Sequence, residues 1–168
     1  MVIKMQISHV LEPIYDEDSK VLILGSIPSV KSREKGFYYA HPRNRFWKTL
    51  EGVYNEKIGD TKNEKIAFLK KHHIALFDVL ASCDIEASSD SSIKNPIPNN
   101  LSPILDKADI RAIFTTGQKA FTLYNKYCYP KTKIKAILLP STSPANCPKG
   151  IDDKLKYEYH KIKEFTDL

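Results

Sequence analysis

The segment FYYAHPRN, residues 37–44, crowds three aromatic rings, a histidine, an arginine and an asparagine into eight positions. Flat rings beside hydrogen-bonding groups are what is needed to stack a planar heterocycle and read its edge, although each ring taken singly is as well explained by core packing. Asn44 could orient a water, because a carboxamide is both donor and acceptor without being ionised; it is equally suited to a helix start. Arg43 and Arg45 could meet phosphate or simply be solvated. Two more polar clusters stand elsewhere. GSIPS, residues 25–29, offers the hydroxyls of Ser26 and Ser29 around Pro28, either to hold an oxygen or to close an ordinary turn. LPSTSPAN, residues 139–146, repeats that composition with Ser141, Thr142, Ser143 and Asn146. Two such loops at one edge would make a polar rim able to grip a phosphate backbone.

Other chemistries lack their residues. There is no G-x-G-x-x-G, G-x-x-x-x-G-K-[ST] or G-x-S-x-G, which disfavours nucleotide cofactors and a nucleophile elbow. His72 and His73 are adjacent and so lack the spacing of a helical zinc site. The three cysteines, Cys83, Cys128 and Cys147, are too few and too scattered for a disulfide framework or a metal cluster. No cofactor and no metal are expected.

The elements that must position these clusters alternate. VLILG (21–25), IALFDVL (74–80, displaying Asp78), IRAIFTTG (110–117) and IKAILL (134–139) read as strands. Helical recurrence marks 44–54, 61–73, the short 101–108, 118–128 and 152–165. Residues 87–100, ASSDSSIKNPIPNN, read as a surface loop. Strand–helix alternation predicts an α/β fold with a mostly parallel sheet covered on both faces, and 168 residues suit one domain, 1–168. Ligands bind such sheets beyond the carboxyl ends of the strands, where GSIPS, Asp78, TTGQ and LPSTSPAN would meet. A net charge of +6 makes a polyanion a plausible partner without proving one. The N-terminal stretch lacks an apolar core and meets acidic residues early, and no segment has the length of a membrane span; a cytoplasmic protein is expected, with a monomer as default.

Taken in order, LILGSIPSVKS, YYAHPRNRFW, ALFDVL, TTG and LPSTSPAN resemble the uracil-DNA glycosylase superfamily, and within it the hypoxanthine-DNA glycosylase branch. AHPRNRFWK is also similar to mismatch-specific uracil-DNA glycosylases. The resemblance implies a three-layer α/β/α sandwich around a parallel four-stranded sheet, and metal-independent hydrolysis of the N-glycosidic bond of a damaged base flipped out of DNA. It places an Asp or Asn directly before the proline of the first motif in the better-known branches; here that position is Ile27, whose side chain can neither accept nor donate a hydrogen bond. The hypoxanthine branch carries its essential asparagine in the segment matched by HPRN, so Asn44 inherits water positioning.

By the same resemblance Tyr39 stacks on the flipped base, Ser26, Ile27 and Pro28 line its pocket, and His41 bonds the base or braces the loop. Ser29, Ser141, Thr142, Ser143, Asn146 and, with less support, Lys149 belong to the DNA-binding rim. The implied function is release of hypoxanthine from deoxyinosine, opening base excision repair, with DNA containing a deaminated base as partner. Mismatch-directed uracil excision, or a DNA-binding module that has lost catalysis, are the alternatives.

Overall fold

Four short aliphatic runs form one parallel sheet, buried on both faces except along its half-exposed last strand. These are β2 (Val21–Gly25), β3 (Ile74–Asp78), β6 (Ala112–Thr116) and β7 (Ala136–Leu139), in the spatial order β3-β2-β6-β7. All three pairings are parallel, with Val21 opposite both Ile74 and Ala112, and Ile113 opposite Ala136. Every residue of the two strands β2 and β3 is buried. Such strands read as continuous hydrophobic runs rather than as alternation. The computed structural model describes residues 4–8, 11–86 and 93–167.

Helices α1 (Val30–Lys35), α2 (Phe46–Tyr54), α3 (Lys62–Lys71), α4 (Ser102–Lys107), α5 (Gln118–Tyr127), α6 (Tyr129–Thr132) and α7 (Ile151–Thr166) flank the sheet in a three-layer α/β/α arrangement. α2 and α7 pack on each other and α7 also reaches β2 and β7, while α3 lies on β3 and α5 on β6 and β7. Their apolar stripes supply Phe46 and Leu50 from α2 and Leu155, Tyr159 and Ile162 from α7, all at 0% exposure. Each such side chain contributes roughly 1.5–3 kcal/mol of burial. α3 starts with a reciprocal cap: Glu64 N–H donates to Thr61 Oγ1 (3.1 Å) and Thr61 N–H to Glu64 Oε1 (3.3 Å). At its other end His72 pairs with Glu56 at 3.2 Å.

The four-stranded parallel sheet and its helices match the expectation; a second sheet does not. β1 (Lys4–Ser8), β4 (Leu80–Glu86) and β5 (Ile93–Pro98) form an antiparallel sheet in the order β1-β4-β5. Residues 93–98, expected to be surface loop, are therefore a strand; 87–92 of that stretch lie outside the described residues. Pro96 and Pro98 are tolerated because β5 is an edge, where a missing N–H breaks no inner ladder. Asn99 bolts the strand in place, donating through Nδ2 to the carbonyls of Asp78 (2.9 Å) and Leu80 (3.1 Å). The stretch between β2 and α2, expected to be one long loop, carries α1.

Candidate active site

The carboxyl ends of the parallel strands open into a cleft of about 560 Å³. Ser26–Ser29 after β2, Asp78 ending β3, Thr116 ending β6 with Gly117 after it, and Ser141–Ala145 after β7 form its walls, and Tyr38, Tyr39, His41 and Asn44 line it too. Ile7 and Ile85 of the antiparallel sheet add an apolar side. The chain keeps the β2 and β3 exits together through Val79 N–H to Gly25 O (2.8 Å) and Leu80 N–H to Ser26 O (2.9 Å).

Gly25 is required by what lies against it. A β-carbon there would stand 2.5 Å from Asp78 Oδ1. Asp78 is only 4% exposed, so its carboxylate is a buried neighbour of the cleft, with interactions of its own. Tyr38 and Tyr39 feel it: burial first, and then the nearby Asp78 charge, push both phenols well above the ordinary tyrosine range. Both stay protonated as donors. Tyr38 donates to Glu12 O at 2.8 Å. Thr116 Oγ1 donates to Leu24 O (3.4 Å), which leaves it to accept from Tyr39 OH (3.1 Å). The Tyr39 ring lies parallel on Phe46, centroids 3.9 Å apart, so one face is covered by protein. Its backbone sits at φ 51°, a conformation costing of order 1 kcal/mol for a non-glycine residue.

Asn44 stands at the start of α2, as its helix-start reading has it. Its Oδ1 accepts from Phe46 N–H at 2.9 Å, satisfying a free donor at the start of α2, and its backbone N–H donates to His41 O at 2.9 Å. The cap fixes the carboxamide at the cleft wall and leaves one Oδ1 lone pair and the Nδ2 protons for a water. His41 Nδ1 accepts from Arg43 N–H at 3.0 Å, which puts the proton of the neutral ring on Nε2 as a donor.

The loop after β7 is held by itself and by Arg45. Ser143 N–H donates to Ser141 Oγ (3.1 Å), Ala145 N–H to Ser143 Oγ (3.3 Å), and Asn146 Nδ2 to Ser141 O (2.8 Å). Arg45 N–H donates to Thr142 O (3.0 Å), its Nη1 reaches Asn146 O (3.3 Å) and Ser143 O (3.5 Å), and its Nε pairs with Asp152 (3.0 Å). Arg45 is thus a clamp between the asparagine segment and this loop, not a free phosphate contact.

The fold brings Ser26, Ile27, Pro28, Ser29, Tyr39, His41, Asn44, Ser141, Thr142 and Ser143 to one cleft. Asn146 and Lys149 lie outside its lining: Asn146 props the loop, and Lys149 is exposed ahead of α7. Ser29 lines the cleft with its hydroxyl committed to capping α1, where it accepts from Ser32 N–H at 3.2 Å. Sequence reasoning placed Thr116 here only as part of TTGQ, and did not find Arg33, Ile7 or Ile85. Arg33 stands in VKSREK, within the stretch expected to be loop, and nothing in the local pattern separates it from its charged neighbours.

The model of the Uracil DNA glycosylase superfamily matches residues 12–161. A protein of Methanosarcina acetivorans named hypoxanthine DNA glycosylase is 36% identical over 138 residues, covering 79% of this chain and 84% of its own. One of the same name from Methanosarcina barkeri is 33% identical over 110 residues, covering 64% of this chain and 70% of its own. The solution NMR structure of a candidate uracil DNA glycosylase from Methanosarcina acetivorans superposes with a TM-score of 0.76 at 28% identity, covering 95% of this chain and 99% of that one.

Proposed function

The chain belongs to the uracil DNA glycosylase superfamily, and on that footing we propose that it is a monofunctional DNA glycosylase that removes hypoxanthine from deoxyinosine and so opens base excision repair. The observation that carries the reading is the pairing of Ile27, whose side chain has no polar atom to hold a water, with the carboxamide of Asn44 in the same cleft. Two relatives named hypoxanthine DNA glycosylase support the choice of base.

The flipped nucleotide costs a few kcal/mol of unstacking, least where the base is mispaired. In the cleft the bond between C1′ and the purine nitrogen breaks, its electron pair leaves with the base, and an oxocarbenium-like sugar forms. His41 Nε2–H is a donor for the departing base, which lowers its basicity. Tyr39, held by Phe46 and Thr116, is the ring against which the base packs. Asn44 holds a water for attack on C1′; a neutral amide is too weak a base to keep the proton, which passes to solvent or to the released base. None of these steps needs a metal or a covalent enzyme intermediate, and one chain supplies every group. Ser141 and Ser143 form the rim against the DNA backbone, with Lys149 as an outlying phosphate contact; Thr142, expected in that rim, is only 2% exposed and supports the loop from behind.

The test is base release from end-labelled duplexes carrying a single deoxyinosine or deoxyuridine, in EDTA. Strong cleavage at deoxyinosine and weak cleavage at deoxyuridine support the proposal. Preference for deoxyuridine makes the protein a uracil glycosylase, and binding without release of either base makes it a DNA-binding module.

A further inference from the structure

Arg33 is a cation in the cleft wall whose side chain has no acceptor among the described residues. It occupies the middle of α1, whose ends are fixed by the Ser29 cap and by Gly36 in the left-handed conformation, and it lines the cleft together with Ser29, Ser32 and Asn44. Its Nε is buried and has no hydrogen-bond partner, and the residue makes no ion pair among the described residues. Arg45 and Arg111, by contrast, each have a carboxylate, Asp152 and Asp109. A buried guanidinium N–H left without an acceptor carries its full desolvation penalty, so its placement calls for an acceptor that arrives from outside.

We propose that Arg33 reads the flipped base, its guanidinium fork donating to the 6-keto oxygen and to ring nitrogen N7 of hypoxanthine. This rests on the reading of the cleft as a deoxyinosine glycosylase site. A 6-keto purine presents those two acceptors side by side, a spacing that arginine matches with two parallel hydrogen bonds. Adenine offers N7 beside an amino donor, so the same fork meets a donor and is repelled. Uracil has no such pair of acceptors. The contact also strengthens during reaction: as the glycosidic bond breaks, its electron pair spreads toward the ring oxygen and nitrogens, and a fixed cation there stabilises the leaving base without any proton transfer. Arg33 is therefore both a specificity residue and a catalytic one.

The test uses the Asn44→Ala protein, which holds chemistry off, and measures binding to duplexes containing deoxyinosine, 7-deazadeoxyinosine or only normal bases. The deaza base keeps the pairing edge, so the cost of flipping is matched while one acceptor is removed. The proposal expects deoxyinosine to be preferred over the deaza analogue at least 5-fold, within the roughly 5- to 150-fold that a bidentate arginine contact discriminates. Adding Arg33→Gln erases that preference, and Arg33→Lys keeps only part of it. Thermal melts of each variant confirm folding. Absence of the preference with Arg33 present, or its survival in Arg33→Gln, overturns the proposal. Equal weakening on every duplex, with a shallower salt dependence, also overturns it and makes Arg33 a phosphate contact. Release of hypoxanthine by the wild-type protein is scored separately. Failure there removes the functional reading itself, whereas success there with no effect of Arg33 removes only this inference.

Discussion

Replacing Arg45 by methionine keeps the aliphatic stem and removes the clamp between the asparagine segment and the loop after β7. The magnitude follows from what is lost. The ion pair to Asp152 is 3.0 Å long, but the two side chains are 24% and 70% exposed, so solvent limits it to about 1 kcal/mol or less. The bonds from Nη1 to Asn146 O and Ser143 O are long, at 3.3 and 3.5 Å, and together contribute about 1–2 kcal/mol. The backbone bond from Arg45 to Thr142 remains. A loss of about 1–3 kcal/mol in a chain of this size lowers the melting temperature by roughly 2–12 °C. Asp152→Asn removes only the ion pair and part of a favourable charge at the start of α7, and costs about 1 kcal/mol. The assay pairs thermal melts of both variants with steady-state excision kinetics on a deoxyinosine duplex. The clamp predicts that Arg45→Met destabilises more than Asp152→Asn and raises KM by loosening the loop that carries Ser141 to Ser143. An Arg45→Met protein with unchanged melting temperature and a reduced salt slope of DNA binding refutes the clamp and restores the phosphate contact.

Gly25→Ala drives a methyl into the Asp78 carboxylate, and is expected to cost about 1–3 kcal/mol in urea unfolding with a disproportionate fall in excision, because the displaced Asp78 lies at the cleft floor. A variant with wild-type stability contradicts the packing described for that strand end. Tyr54, bonded to Thr166 at 2.6 Å, is pushed up to about 12, chiefly by burial, opposed by that hydrogen bond and assisted by Asp167. Its folded pKa lies above the ordinary value of 10.0, so its contribution is full below pH 10 and is lost as pH rises from about 10 through about 12. Urea unfolding of Tyr54→Phe against wild type across pH 8–12 is therefore expected to show a shallower alkaline loss in the variant; parallel curves contradict it.

The parallel sheet was legible because burial on both faces writes itself into a sequence as unbroken aliphatic runs, as in VLILG and IALFD. The antiparallel sheet was not. β5 is a half-exposed edge with two prolines, and no alternation marks it. Its partner β4 starts two residues after β3 ends, so IALFDVL reads as one strand where the chain in fact passes from one sheet into the other. The site was legible in its placement: GSIPS, Asp78, TTGQ and most of LPSTSPAN do meet at the carboxyl ends of the parallel strands. It was illegible where function depends on distant partners. The carbonyls that hold Arg45 belong to residues 98 and 101 positions further along the chain, and whether the guanidinium of Arg33 finds a neighbour is a fact of packing. At Asn44 the helix-start bond and the proposed water need not compete, because one carboxamide oxygen has a lone pair for each.

Single-turnover excision of hypoxanthine by Asn44→Ala, alongside its affinity for the same duplex, tests the central claim most directly. Loss of the cap costs about 1 kcal/mol of stability, so the measurement is made well below the variant's melting temperature. Water positioning by Asn44 predicts affinity within a few fold of wild type and a chemical step slower by roughly 10²–10³-fold. Cleavage at a near wild-type rate by a folded Asn44→Ala protein would show that its carboxamide serves the helix alone and that the water is held elsewhere.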